Sequence, residues 1–290
     1  MGMDARQLAA FLAVVEHGTV TKAASETHVS QPALSQTIRQ LEDEVGTPLF
    51  HRIGRGLVLT PAGEALIGPA RQVGRDLDVA RRAVADVAGL TAGTLDVVVL
   101  PTLAVEPAAR LLGHFRQQHP GVRVRLADAD GTPDALGRVL DGRAEVVLSD
   151  AESGPGLVFH DLGTQAYRAV FPPGTGPPRR KRIPVAALAG LPMVTTPEGT
   201  STRRLLERAH ELAGVAPVIA VEAGAREAIL PLVLAGAGVT LVPSPLADEA
   251  ARAGADVRDI SPALTRAITL AHRDAPLSPA AEAFVQLAIG

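Results

Sequence analysis

The residues in this chain whose types and spacing could do chemistry fall into two groups. Ser30-Gln31-Pro32, Ser35-Gln36 and Arg39 crowd into residues 30–39, and Arg52 and Arg55 follow after a short gap. Hydroxyl, carboxamide and guanidinium groups in that order supply donors and acceptors for base edges and phosphates, the chemistry of recognition rather than of bond breaking. The plainer readings are a solvated helix face and a solvated turn. The second group is dispersed: Thr102 and Leu103 after one apolar run, Thr132 after another, and Thr196, Thr200 and Ser201 after a third. Each set stands between a strand pattern and a helix pattern, where hydroxyls and free amides can hold a small anion. Each hydroxyl also reads as an ordinary helix cap.

The first group needs a rigid frame, and the sequence provides one. Leu8, Phe11, Leu12 and Val15 recur at i, i+3, i+4, i+7, predicting a helix with one apolar stripe. Gly18 is placed to end it and Thr19 to cap the next, in which Ala23 and Ala24 allow a close crossing. Ser30 is set to cap a third helix with Pro32 in its first turn. Leu34, Ile38, Leu41 and Val45 share its apolar face, which leaves Gln31, Ser35, Gln36, Arg39 and Gln40 pointing away. A small hairpin over 49–59 follows, with Arg55 between Gly54 and Gly56, where it could enter a minor groove. Two short helices, a tight turn and a hairpin present one polar helix to a DNA major groove.

A long helix comes next. Thr60 caps it, Pro61 opens it and Glu64 meets the positive end of its dipole. Leu66, Ala70, Val73, Leu77, Ala80, Val84 and Val87 recur with heptad spacing, predicting a two-helix seam with a second copy, or else a seam against the chain's own body. Pro69 predicts a kink, and residues 90–93 a hinge.

The ordered run Thr19-Val20-Thr21-Lys22-Ala23-Ala24, His28-Val29-Ser30-Gln31-Pro32-Ala33-Leu34-Ser35, Ile38-Arg39-Gln40-Leu41-Glu42 and Pro48-Leu49-Phe50-His51-Arg52 resembles the DNA-binding domain of LysR-type transcriptional regulators. The resemblance is strong over residues 4–90 and one of pattern beyond. It implies a winged helix-turn-helix over 1–60, a linker and dimerisation helix over 61–90, and an effector-binding domain over 91–290. That last part would resemble periplasmic solute-binding proteins, with subdomain I over about 94–165 and 268–290, subdomain II over about 166–267, and two crossing strands. The resemblance also implies a homodimer or homotetramer on an interrupted inverted repeat of double-stranded DNA. RNA polymerase would be a further partner. A small anionic effector, an organic acid, would sit in the cleft, with Thr102 and Thr200 the foremost contacts.

Composition bounds these expectations. Residues 1–90 hold nine Lys and Arg against ten Asp and Glu, so the basic footprint usual in DNA binders is absent. Few phosphate contacts per subunit are therefore expected, with affinity coming from oligomers. There is no cysteine, which excludes disulfides and thiol chemistry. No apolar run has transmembrane length and no signal-peptide pattern opens the chain, so the reading is cytoplasmic. Six Phe, one Tyr and no Trp argue against a ligand clamped between rings. No phosphate-binding glycine loop or nucleophile elbow occurs, and the eight His are scattered along the sequence. The expectation is no enzyme, no metal and no cofactor.

From residue 95 strand and helix patterns alternate, predicting an α/β body of mostly parallel strands. Strands are expected at 95–100, 122–126, 145–148, 158–162, 169–171, 193–195, 218–221, 239–242 and 268–271. Helices are expected at 104–118, 133–140, 202–213, 226–235 and 279–289. The Pro- and Gly-rich stretch 171–182, ending Arg179-Arg180-Lys181-Arg182, reads as a solvated loop or a second phosphate contact. Residues 236–243 read as a tight helix-to-strand turn. Two other functions fit less well: a small-solute-binding protein whose head only dimerises, and a ligand-independent DNA-organising protein.

Overall fold

The computed structural model describes residues 3–53, 56–85, 93–177 and 181–290. The head begins with α1 (Ala5–His17), α2 (Val20–Glu26) and α3 (Gln31–Val45), followed by a hairpin of β1 (Phe50–Ile53) and β2 (Gly56–Leu59). Local chemistry sets each boundary. Asp4 and Gln7 form a capping box on α1, and Gly18 closes that helix in the left-handed conformation. Thr19 and Ser30 cap α2 and α3, and Gly46 ends α3. Leu8, Phe11, Val14, Ala23, Ala24, Leu34, Ile38, Leu41 and Leu49 form the head's core. The buried stripe of α1 therefore runs through Gln7, Leu8, Phe11 and Val14, with Leu12 and Val15 only half-buried. Val45 does not join the α3 face: it is exposed in the last residue of the helix, beyond the reach of the core.

Helix α4 (Pro61–Ala85) runs through Pro69 without a break. Its expected heptad seam divides. Ala70 is buried and Leu66 packs against the head core, whereas Val73, Leu77 and Ala80 are exposed. The side chain of Val84, and Val87 and the expected hinge at 90–92, lie outside the described residues.

The body is one large mixed sheet and one small parallel sheet. Its elements are β3 (Gly93–Val99), α5 (Pro101–Leu103), α6 (Ala109–Gln118), β4 (Val122–Asp128), α7 (Thr132–Leu140), β5 (Val146–Ser149), β6 (Leu157–Phe171), β7 (Arg182–Pro184) and β8 (Pro192–Thr195). They continue with α8 (Ser201–Leu212), β9 (Val218–Glu222), α9 (Ile229–Leu234), β10 (Thr240–Pro243), α10 (Ser244–Arg252), β11 (Asp256–Arg273) and α11 (Pro279–Ile289). The large sheet has the order β10-β6-β11-β5-β3-β4, with β7 beside β11. Strands β8 and β9 pair in parallel.

Four expectations need correction. The strands at 158–162 and 169–171 are one continuous strand, and the strand at 268–271 is the end of an eighteen-residue one. These two long strands pair antiparallel, as do β10 with β6 and β11 with β5, so the sheet is mixed rather than mostly parallel. The helix at 104–118 is broken at Glu106 (φ −153°, ψ 127°) because Pro107 follows. A residue before proline is driven out of the helical region, and proline offers no N–H. Finally, the basic loop runs into strand β7, where the Lys181 carbonyl accepts from the Asp259 amide.

Two cores make the subdomains. One joins β3, β4, β5 and the outer ends of β6 and β11 to α6, α7 and α11. The other is in two parts, one packing Tyr167, Phe171, Ile183, Leu188, Met193, Leu206 and Leu241 around α8, the other joining Val170, Val194 and Val242 to Val233 of α9 and Ala247 of α10. Strands β6 and β11 pass through both. The turn at 236–243 is tight as expected: Gly236 has φ +91°, and Gly238 has φ +149° with its α-carbon against the Pro192 carbonyl.

One glycine fixes how the head is assembled. Gly63, in the first turn of α4, lies so close to the hairpin that a β-carbon there would overlap the Leu49 carbonyl and stand 2.8 Å from Leu59 Cδ2. Gly63→Ala should destabilise the protein by about 1–3 kcal/mol through overpacking, despite the better helix propensity of alanine. A melting temperature equal to or above wild type would show that α4 does not seat this closely.

Candidate functional site

Two arrangements stand out, one on the head and one between the subdomains. On the head, the first turn of α3 is exposed. Ser30 Oγ accepts from the Ala33 amide at 3.4 Å, and Gln31 Nε2 donates to Ser35 Oγ at 2.9 Å. Ser30, Gln31, Pro32, Gln36, Arg39 and Gln40 are exposed and Ser35 is half-buried. Arg39 makes no ion pair with any described residue, which leaves its guanidinium free for an anion. The turn before α3 is made by His28 in the left-handed region (φ +56°), a conformation costly for most residues with a side chain. Arg52 stands in β1 opposite Leu57; its side chain, and Arg55 altogether, lie outside the described residues.

Glu42 plays a part that its place in the run Glu42-Asp43-Glu44 does not signal. Its Oε1 accepts from the Leu49 amide at 2.8 Å and the Phe50 amide at 3.2 Å. The carboxylate thereby straps the hairpin to α3 and fixes the distance between the polar helix and the wing.

Between the subdomains, the centre is a residue that sequence reasoning missed. Arg266, on β11, is only 7% exposed. Its Nη1 donates to Ser201 Oγ at 2.9 Å, and its Nη2 donates to Thr102 Oγ1 and to Gln165 Oε1, each at 2.7 Å. Gln165 in turn donates to the Glu106 carbonyl at 2.9 Å. Thr102 belongs to one subdomain and Ser201 to the other, so a single guanidinium ties both sides of the cleft. It also lies 5.5 Å from the centre of the Tyr167 ring, within cation–π reach.

Several buried polar atoms at this point have no hydrogen-bond partner among the described residues. They include Arg266 Nε, Tyr167 OH, Thr202 Oγ1 and Arg226 Nη1. The Tyr167 hydroxyl lies near the Thr102 and Thr202 hydroxyls without a well-formed bond to either. Burial pushes the Tyr167 phenol above its ordinary pKa, against the opposing pull of Arg266. Burial likewise lowers Arg226, offset in part by Asp128 and Asp130. Orphaned buried polar atoms are rare in folded proteins, and a cluster of them beside two guanidiniums is chemically suited to an anion.

The other expected hydroxyls fall around this centre. Thr132, at the start of α7, donates to Asp150 Oδ1 at 2.5 Å and accepts from Arg204 Nη2 at 2.9 Å. Arg204 also donates to the Gly199 carbonyl at 2.8 Å, so one guanidinium joins the turn before α8 to Thr132 of the opposite subdomain. A cavity of about 510 Å³ opens here, lined by Asp150, Thr164, Ser201, Arg204, Arg208 and Arg266. Thr196 and Thr200 bond to each other at 2.6 Å, and Thr200 caps α8 through the Arg203 amide. The Leu103 side chain is fully buried in the core, turned away from the cleft. The sequence grouped Thr102 with its neighbours along the chain. The partner that organises it, Arg266, is 164 residues away in a stretch where the sequence analysis expects no strand.

Comparison with known proteins gives consistent matches. Residues 5–64 match the model described as "Bacterial regulatory helix-turn-helix protein, lysR family", and residues 88–289 match "LysR substrate binding domain". The RuBisCO operon transcriptional regulator of Allochromatium vinosum is 32% identical over 83% of this chain and 80% of its own length. The transcriptional regulator IlvY of Escherichia coli (strain K12) is 30% identical over 83% of this chain and 82% of its own. Among solved structures, a full-length OxyR variant from Pseudomonas aeruginosa superposes with a TM-score of 0.81 at 22% identity, covering 99% of this chain and 94% of that one. Full-length CbnR in complex with its target DNA gives 0.71 at 24%, covering 99% of each. No helix among the described residues is long and apolar enough to cross a membrane.

Tyr167 is the only tyrosine in the chain, so its titration can be read directly. A folded-state pKa raised above the unfolded value near 10 means that the unfolded chain ionises first. The stability Tyr167 contributes is therefore fully present below pH 10 and is lost as the pH rises beyond it. Phenolate absorbance should appear at a distinctly higher pH in the native protein than in denaturant. Coincident curves would show that the phenol is not buried in the cleft.

Proposed function

This chain belongs to the LysR family of DNA-binding transcriptional regulators, and on that premise we propose how its parts divide the work. Residues 1–60 read DNA. Ser30, Gln31, Pro32, Ser35, Gln36 and Arg39 face the major groove, Arg55 enters the neighbouring minor groove and Arg52 holds phosphate. Residues 61–90 pair two chains through Leu66, Val73, Leu77, Ala80 and Val84. The exposure of Val73, Leu77 and Ala80 supports that pairing, while the burial of Ala70 moves the start of the seam into the head. A homotetramer on an interrupted inverted repeat, acting in the cytoplasm without catalysis of its own, is the working assembly.

Residues 91–290 bind a small organic anion in the cleft, at Thr102, Thr132, Thr196, Thr200 and Ser201, with Leu103 supporting from the core. The observation that carries this reading is the Arg266 guanidinium. It is held by hydroxyls from both subdomains and left with an unpaired Nε beside three other orphaned polar atoms. An anion there would exchange contacts with the bridging hydroxyls and change how the two subdomains are tied. Helix α7 offers a route to the head. It starts at Thr132 in the cleft, and the turn at its far end brings Asp141 and Arg143 against Arg71 of α4. A β-carbon built on Gly68 of α4 would stand 3.9 Å from the Asp141 α-carbon, a close approach of the linker helix to the body that supports this route, and burial and Arg143 lower the Arg71 pKa there.

Two measurements test the division. Binding of purified protein to DNA from upstream of its own gene, followed by anisotropy against scrambled competitor, should weaken by roughly 10- to 100-fold in Arg39→Ala, the worth of one specific base contact. Unchanged affinity would remove Arg39 from the interface. In a thermal-shift screen of small mono- and dicarboxylates, a ligand at 100 times its dissociation constant should stabilise the wild type by about 2.7 kcal/mol. Thr102→Val and Arg266→Met should abolish that shift while leaving the salt dependence of DNA binding unaltered. A full shift in both variants would place the ligand elsewhere.

A further inference from the structure

The eight histidines are scattered along the sequence, yet the fold brings two that lie 112 residues apart into contact. His160 stands on β6 and His272 on β11, where Leu270 pairs with His160 and Val158 pairs with His272. The two imidazoles are therefore diagonal neighbours on one face of the antiparallel ladder. Their Nε2 atoms are 3.2 Å apart, with ring centroids 5.3 Å apart and planes inclined by 24°. Both rings are half-buried, so water reaches the pair.

The protons on this pair can be placed. His272 Nδ1 is 2.8 Å from the Arg273 carbonyl, and a carbonyl can only accept. His272 Nδ1 therefore carries hydrogen, and its Nε2 presents a bare lone pair. The hydrogen between the rings belongs to His160 Nε2. A histidine that binds a metal through one nitrogen typically donates from the other to a carbonyl or carboxylate, and His272 already has that arrangement. Two nitrogens bound at about 2.0–2.1 Å to one ion, at angles between square and tetrahedral, stand about 2.9–3.4 Å apart. The observed separation falls inside that range without movement of either strand.

We propose that His160 and His272 form a two-imidazole chelate for a divalent transition-metal ion, with copper(II) held most tightly and nickel(II) and zinc(II) less so. Imidazole nitrogen selects these ions over magnesium and calcium. No group of three or more His, Cys, Asp or Glu among the described residues is placed to hold a metal, so water fills the remaining positions. On binding, the two nitrogen–metal bonds replace the ring-to-ring hydrogen bond. The His160 proton passes through water to its own Nδ1, with no net proton uptake or release. The ion would staple the two strands that cross between the subdomains, at their ends in the larger core. The absence of cysteine leaves no thiolate to compete for copper or reduce it.

Copper(II) titration of the full-length protein tests this, read by calorimetry and by electron paramagnetic resonance. One tight equivalent per chain is expected, with a spectrum showing two equatorial nitrogens. His160→Gln and His272→Gln should each weaken that equivalent by roughly 100-fold, at the upper end of what loss of a supporting contact alone costs. The double variant His114→Gln/His119→Gln, on and beside α6, should leave it intact. Melting each protein with and without copper adds a second readout: the metal-induced rise in melting temperature should vanish only in the two strand variants. A two-nitrogen spectrum retained in either strand variant, or no tight equivalent in the wild type, overturns the proposal.

Discussion

The structure turns on the antiparallel pairing of β6 with β11. These strands of fifteen and eighteen residues are the thread common to both subdomains, and the two flanking cores are built on their opposite ends. The pairing is not uniform. Its register shifts between Asp259 and Leu264 and again between Ala267 and Thr269. Arg266 sits between these irregularities, and such shifts re-aim side chains that a regular ladder would send to the opposite face. Gln165 and Tyr167 are presented from β6 at the same level, so the polar centre of the cleft is built from the middle of one strand pair.

That placement carries an electrostatic cost. Taking a guanidinium out of water costs several kcal/mol, which hydrogen bonds recover only when they satisfy the group fully. Here three hydrogen bonds and an aromatic face compensate in part, and one donor nitrogen stays unpaired. A group of this kind in a stable fold is explained better by what it binds than by what it stabilises. By contrast, Arg203 on α8 is equally buried but surrounded by Glu198, Glu207 and Glu222 at 3.5, 2.7 and 3.2 Å. Each of its three side-chain nitrogens already faces a carboxylate, so its role is structural.

The head follows different rules. Its geometry is set by caps, short turns and one small core, all within the first 70 residues. The Glu42 carboxylate and the close seat of Gly63 hold the hairpin to α3 and α4, giving the polar helix a rigid setting. The body lies against this unit through Arg71, Asp141 and Arg143, close to the far end of the helix that begins in the cleft. Recognition and sensing are thus separate cores joined by packed helices, so a change in one can bias the other without either refolding.

By itself, the sequence determined the head and much of the order of elements in the body, but not α10 or the first part of β11. Gly18, Thr19, Ser30 and Thr60 mark boundaries through local backbone chemistry that acts over three or four residues, and the structure places each where the pattern says. The apolar period likewise identified Leu34, Ile38 and Leu41 as one buried face. Only the tertiary structure decided that three short strand patterns belong to two long crossing strands, that the sheet is mixed, and that Arg266 reaches Thr102 and Ser201. It also decided that His160 meets His272 across 112 residues. The reason is physical. Caps and periodicities are local and leave a trace in neighbouring residues, whereas strand pairing and the contacts it creates depend on register between distant segments, which no local pattern encodes.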